Sequence, residues 1–349
     1  ISSITSNHAD FSISSSASSP ISPGGSSSFV VTFNPSTNAS INGSITVNNN
    51  DANEGTYVFR VAGTGVGTRT VRWVNNTGAT RPTSVTIDGV SYATASATYN
   101  TIQLAHNASS TYDIIYVTNG RYKNPSEPSS TNCLQNSIYL GPSMDANLYI
   151  NLYNSNILIT SETGDYRTSS ARVVGYSFNF TSPGQSNITI RGLTIDSVRQ
   201  NAFYNTNVSL SNKATNVSIL NNKVTNVRGH GVKTDSYGVA TIDRGMWEIN
   251  GNYFENIGFY QSGVCTGTLN NSAIWLAEAG SSFEINDNTI INAKWAGILC
   301  DGFGNPNGST NGAVSIQGNK IYNTGNAGIQ IGWSSSGNGA LQTPRNAII

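Results

Sequence analysis

From about residue 187 the apolar positions recur in a fixed frame. "NITIRGLTIDS", "NVSILNNKVTN", "MWEINGNYFEN", "SFEINDNTIIN" and "AVSIQGNKIYN" align without gaps. The alignment stacks Ile190, Ile219, Ile249, Ile285 and Ile316 in one column, and Ile195, Val224, Phe254, Ile290 and Ile321 in a second. Asn222, Asn252, Asn288 and Asn319 run between them, and Asn226, Asn256, Asn292 and Asn323 follow. The steps along the first column are 29, 30, 36 and 31 residues. A constant core with variable spacing means loops inserted into a fixed coil, which buries its apolar face only by stacking on its neighbours. The period-two alternation predicts short strands. Asn suits the bends because it accepts the left-handed backbone conformation.

A further strand follows each bend: "QNAFYNT", "GHGVKTD", "SAIWLAE", "WAGILCD" and "NAGIQIG". Alternation turns Phe203, Val232, Ile274, Ile298 and Ile329 inward, and two residues on Asn205, Thr234, Leu276, Cys300 and Ile331 as well. The outward column between them is Tyr204, Lys233, Trp275, Leu299 and Gln330. The next is Thr206, Asp235, Ala277, Asp301 and Gly332. In the stretch "RGHGVKTDS", Gly231 aligns with Ala273, Gly297 and Gly328, so it belongs to the repeat, and His230 is expected at the rim.

The first 67 residues have a different pattern. "SFVVTF", "ASINGSITV" and "GTYVFRVAGTG" alternate over short runs bounded by Pro, Gly or Asn-Asp turns. That spacing predicts the antiparallel strands of a β-sandwich. The expected fold is all-β: a partial Ig-like β-sandwich over 1–67, then a right-handed parallel β-helix over 68–349.

Composition narrows the function. Lys plus Arg and Asp plus Glu are 18 each, so the net charge is zero, and charged residues make up only 10%. Such a chain lacks the basic surface that nucleic acid or an anionic membrane surface requires. No apolar run approaches the roughly 20 residues of a transmembrane helix. Cys133, Cys265 and Cys300 form no close pair, which argues against a zinc or redox motif. One disulfide with one free thiol, and three buried free thiols, both fit their spacing. The chain opens on Ile1, so an upstream segment is expected. No obvious cap follows Trp333, so the repeats are expected to continue beyond Ile349, beside other domains of a longer chain.

Two stretches resemble known families. "DFSI", "PISPGGSSSFVVTFNP", "GSITVNNND" and "YVFRVAGTG" resemble the Ig-like choice-of-anchor D domains of exported bacterial proteins, without that family's leading strands. The resemblance implies a spacer or attachment module at the cell surface. The repeats resemble those of the pectin-lyase-like superfamily, whose members include polysaccharide lyases, polygalacturonases, tailspikes and adhesins. "YDIIYVTNGRYKNP" and "NLYNSNILITSE" extend the likeness back toward residue 70. It implies that a long polysaccharide lies along an outer sheet face.

The outward face mixes aromatic, cationic and acidic groups, which suits carbohydrate. Sugars stack an apolar face on Tyr204 or Trp275, while their hydroxyls bond to Lys233, Asp235, Asp301 and Gln330. Ordinary solvated strand residues explain the same column equally well.

Catalytic readings are weaker. For a glycosidase, Asp235 and Asp301 lie two coils apart, roughly 10 Å at about 4.8 Å per coil. That slightly exceeds the ~6.5–9.5 Å of an inverting pair. Glu278, on the coil between, would pair with either. Gly-His-Gly also occurs in polygalacturonases, but their Asn-Thr-Asp and Asp-Asp motifs are missing here. For a lyase, Lys233 with Arg244 and Asp235 would supply base and charge neutralisation. The lyases' Arg-Pro motif is not found among the repeats, and no clustered acidic calcium site is evident, so no cofactor is indicated. His230 near Asp235 lacks the GxSxG of a nucleophile elbow. His8 and His106 have no acidic neighbours close in sequence, and three scattered histidines do not suggest a metal site. The expectation is an exported bacterial cell-surface protein whose β-helix acts as an adhesive or polysaccharide-binding module, taking polysaccharide or cell-surface glycan, with the sandwich as spacer. A polysaccharide lyase or glycoside hydrolase is the alternative.

Overall fold

A computed structural model describes residues 1–35, 40–51, 55–65, 69–123, 149–180, 185–198, 200–205, 214–236, 245–258, 271–278, 282–300, 314–331 and 347–348. They form two compact units, Ile1–Arg69 and Thr70–Ile349.

The first unit has two antiparallel sheets. One joins Ser3–Ser6, Ser40–Asn48 and Thr56–Thr64, and the other pairs Phe11–Ser15 with Val30–Phe33. Phe11, Ile41 and Ile45 form a small core, packed by Phe33, Phe59 and Val61. Phe11 and Phe33 stack at 4.7 Å.

The second unit is built from stacked parallel strands. Each turn of the chain gives one strand to each of three sheets, in strict rotation. One turn, for example, supplies Thr215–Leu220, Lys223–Val227 and Val232–Ser236, and the next supplies Met246–Asn250, Tyr253–Ile257 and Ile274–Glu278. The first sheet has eleven strands and the second and third have seven each. This is parallel β-structure of the kind a parallel β-helix requires, and it fits the repeat pattern.

The registers match the sequence columns. Ile190, Ile219, Ile249, Ile285 and Ile316 are neighbours in the first sheet, and Ile195, Val224, Phe254, Ile290 and Ile321 in the second. All but Ile321 are buried in one continuous core with Phe178, Phe203 and Trp247. At the bend between these sheets the asparagines bond coil to coil. The Asn222 N–H donates to Asn252 Oδ1 at 2.9 Å, that of Asn252 to Asn288 at 2.9 Å, and that of Asn288 to Asn319 at 3.0 Å. Their Nδ2 groups donate to Ile190, Ile219, Ile249 and Ile285 carbonyls. The second asparagine column supplies left-handed residues: Asn226, Asn256, Asn292 and Asn323 have φ between 54° and 58°.

The start of this unit departs from the repeat. The hairpin Ser84–Ile87/Val90–Tyr99 supplies the last two of the eleven strands of the first sheet, its longer strand pairing with Val71–Val74, and buries Val85 and Ile87 with Val71, Trp73, Ile114, Tyr116 and Leu158. Arg191 pairs with Asp88 of that hairpin at 2.7 Å. A single short helix among the described residues, Ile102–Asn107, is capped by Thr101 and packs Ile102 and Ala105 into the main core.

Candidate functional site

The outward column of the third sheet has the register expected from the repeats. Tyr204, Lys233, Trp275, Leu299 and Gln330 are direct neighbours on five successive coils. Asn179 and Asn151 continue it over two earlier coils. With coils ~4.8 Å apart, the seven positions span roughly 29 Å.

At its centre the Lys233 ammonium lies 5.5 Å from the Tyr204 ring and 4.5 Å from the Trp275 ring. A cation between two π faces gains about 0.5–2 kcal/mol per ring, more as water is excluded. The Trp275 indole packs on the His230 imidazole, with centroids 4.7 Å apart. Its N–H is buried and has no hydrogen-bond partner among the described residues. Tyr204, Lys233, Trp275 and Gln330 are each half-buried. The result is a fixed polar–aromatic strip rather than loose surface side chains.

Two expectations need correction. Leu299, expected to face outward with this column, is only 3% exposed, so the strip is not open along its whole length. His230, expected at the rim, is 6% exposed. Its Nδ1 accepts the Ser272 N–H at 3.0 Å, and the His230 backbone N–H donates to Asn201 Oδ1 at 2.8 Å. Burial, helped by the Lys233 charge, lowers its pKa to about 3. An imidazole with a committed nitrogen and so low a pKa is a poor proton carrier near neutral pH. The flanking glycines are packing requirements. A Cβ on Gly229 would lie 2.6 Å from Asn201 Oδ1, and one on Gly231 would lie 2.5 Å from the Ala273 carbonyl.

The acidic candidates are placed only in part. Asp235 neighbours Ala277 in register, and Glu278 neighbours Ser236, so Glu278 stands one position out of the Asp235 column. Asp301 and Arg244 lie outside the described residues, as do Thr206, Gly332, Cys133 and Cys265. Cys300 is a buried free thiol with its pKa pushed up to about 12 by burial. No group of three or more His, Cys, Asp or Glu that would hold a metal occurs among the described residues.

Other titratable groups are structural. His106, in the short helix, accepts the Tyr153 N–H at Nε2, and burial lowers its pKa to about 4. Asp196 is buried, which raises its pKa, but hydrogen bonds from Arg172, Asn226 and Thr225 outweigh this and lower it overall.

Sequence reasoning missed Asn151 and Asn179, because the alignment starts only after them. It also missed Tyr166 and Arg167, which lie in a segment outside the periodic pattern. No helix among the described residues is long and apolar enough to cross a membrane. Fold and site together define a class: an all-β chain of stacked parallel strands carrying a polar–aromatic strip on one sheet. No protein-family model, curated protein or solved structure matches the chain.

Proposed function

We propose that this chain is an exported bacterial cell-surface protein whose β-helix binds polysaccharide along the third sheet. In this reading the helix is right-handed, as parallel strand connections overwhelmingly are, and of the pectin-lyase-like kind that its repeats resemble. Residues 1–67 are an Ig-like spacer of the choice-of-anchor D type, as their sequence resemblance implies.

The observation that carries the reading is the Tyr204–Lys233–Trp275 ladder, fixed by cation–π contacts on three successive coils. Aromatic faces receive the C–H faces of pyranose rings, and neighbouring amine and amide groups receive hydroxyls. Pre-positioned side chains reduce the ordering cost of binding. The zero net charge favours a ligand recognised by stacking and hydrogen bonds.

A glycan array probed with wild type and Trp275→Ala tests it. The expected outcome is retention of one family of polysaccharides, weakened at least ~10-fold in the variant, about 1.4 kcal/mol. No retention by the wild type would remove the reading. Release of reducing ends or unsaturated products from a retained glycan, lost in Asp235→Asn, would replace it with the enzymatic alternative.

A further inference from the structure

A second feature lies at a different corner of the coil, between the first and second sheets, away from the third-sheet strip. Along this corner the bend residue is left-handed on five successive coils: Gly192, Asn221, Gly251, Asp287 and Gly318 have φ between 51° and 74°. Two glycines among them have distinct roles. Gly192 gives room for the segment 162–169 to cross the corner, since a Cβ there would lie 2.5 Å from the Gly164 carbonyl carbon. Gly251 leaves a notch between the side-chain-bearing Asn221 and Asp287. A Cβ at Gly251 would lie 2.3 Å from Asn221 Oδ1.

The crossing segment walls that notch. The Tyr166 N–H donates to the Asn221 carbonyl at 3.1 Å, which anchors the segment at its far reach. The Tyr166 ring sits 6.2 Å from that of Tyr253. The Arg167 guanidinium donates to both carboxylate oxygens of Asp165 and lies 5.7 Å from the Tyr166 ring. The groove is open on one side and has a volume of about 390 Å³, with Asn250, Asp287 and Thr289 opposite Tyr166. That is within the roughly 300–1,000 Å³ of small-molecule sites.

We infer that this corner groove is a separate binding site for a short neutral saccharide. The Tyr166 ring supplies a face for a pyranose. Asn221, Asn250 and Thr289 both donate and accept, as a ring of hydroxyls requires. The charge distribution selects against an acidic sugar. Arg167 is already matched by Asp165, and the Asp287 carboxylate is exposed in the groove. The inference stands on this corner alone and does not depend on glycan binding by the third sheet.

The test separates the two sites. Saturation-transfer NMR and calorimetry are run with cellotriose, maltotriose, xylotriose and trigalacturonate, in a Trp275→Ala background that removes the third-sheet strip from the reading. At least one neutral trisaccharide is expected to bind saturably. Adding Tyr166→Ala, or separately Thr289→Trp to fill the groove, is expected to weaken it at least ~10-fold. If Tyr166→Ala unsettles the fold, as judged by its melting curve, Thr289→Trp decides alone. Three results overturn the inference: no neutral trisaccharide binds in the Trp275→Ala background, trigalacturonate binds more tightly than all three, or Thr289→Trp leaves binding unchanged.

Discussion

His230 shows how a single residue changes meaning with its surroundings. In sequence it stands beside Lys233 and Asp235 and reads as chemistry. In the fold it accepts a backbone N–H from Ser272, 42 residues on, and packs at a tilt against Trp275. Neither contact is visible locally, because both depend on which coil lies alongside. Its outward neighbours were legible, since strict alternation and a repeat together fix a register. The burial of His230 and His106 has a consequence for acid stability. Both remain neutral in the fold down to about pH 3 and 4 respectively, whereas in the unfolded chain they take up protons below about 6.5. The unfolded state therefore binds more protons as pH falls, and stability drops from about pH 6.5 toward pH 4. The limiting slope is about 1.4 kcal/mol per pH unit for each histidine. Urea unfolding at pH 7.5, 5.5 and 4.5 should show this. His230→Asn, which keeps an acceptor for Ser272 but does not titrate, should make the slope shallower. An unchanged slope would mean that the ring is protonated in the fold. Asp196 adds a loss in the same direction only at lower pH, since its folded pKa lies below the ordinary carboxylate value.

At the scale of elements, the asparagine ladder binds one coil to the next. Asn252 accepts the Asn222 N–H and donates to the Ile219 carbonyl, with both contacts buried. Asn252→Ala leaves a buried donor and a buried acceptor unmatched, at a cost of about 1–3 kcal/mol each. Thermal unfolding should show a large loss, and a smaller one for Asn319→Ala, which is half-buried. Equal losses would mean that the ladder acts through bend conformation rather than burial. The repeating strands were legible because five copies of one pattern reinforce each other. The hairpin at 84–99 and the helix Ile102–Asn107 were not. They occur once, are short, and owe their burial to a sheet assembled from distant residues. The segment carrying Tyr166 and Arg167 escaped for the same reason. Its place is set by the space at Gly192, not by a pattern of its own.

For the whole molecule, the expectation of stacked parallel strands over the second part of the chain agrees with the fold. The antiparallel pairing of the first unit accords with its turn-rich sequence. Coil-to-coil contacts join residues about 30 apart, such as Asn222 with Asn252 and Asn252 with Asn288, 30 and 36 residues on. The contact between Arg191 and Asp88 spans 103 residues and ties the hairpin across the first sheet. Local stacking of this sort gives a chain whose stability adds nearest neighbour by nearest neighbour. Under tension along the stack, the inter-coil hydrogen bonds bear the load, and each coil that peels away releases its own length of chain. At ~3.3–3.6 Å per extended residue, a coil of 30 to 36 residues yields roughly 100–130 Å. Single-molecule pulling should therefore record a sawtooth with unequal teeth, the longest from the 44-residue coil between the paired Ile115 and Ile159. A single all-or-none rupture would contradict it. The unequal loops that interrupt the repeat would then set how much slack each turn pays out, making the stack a graded extensible tether.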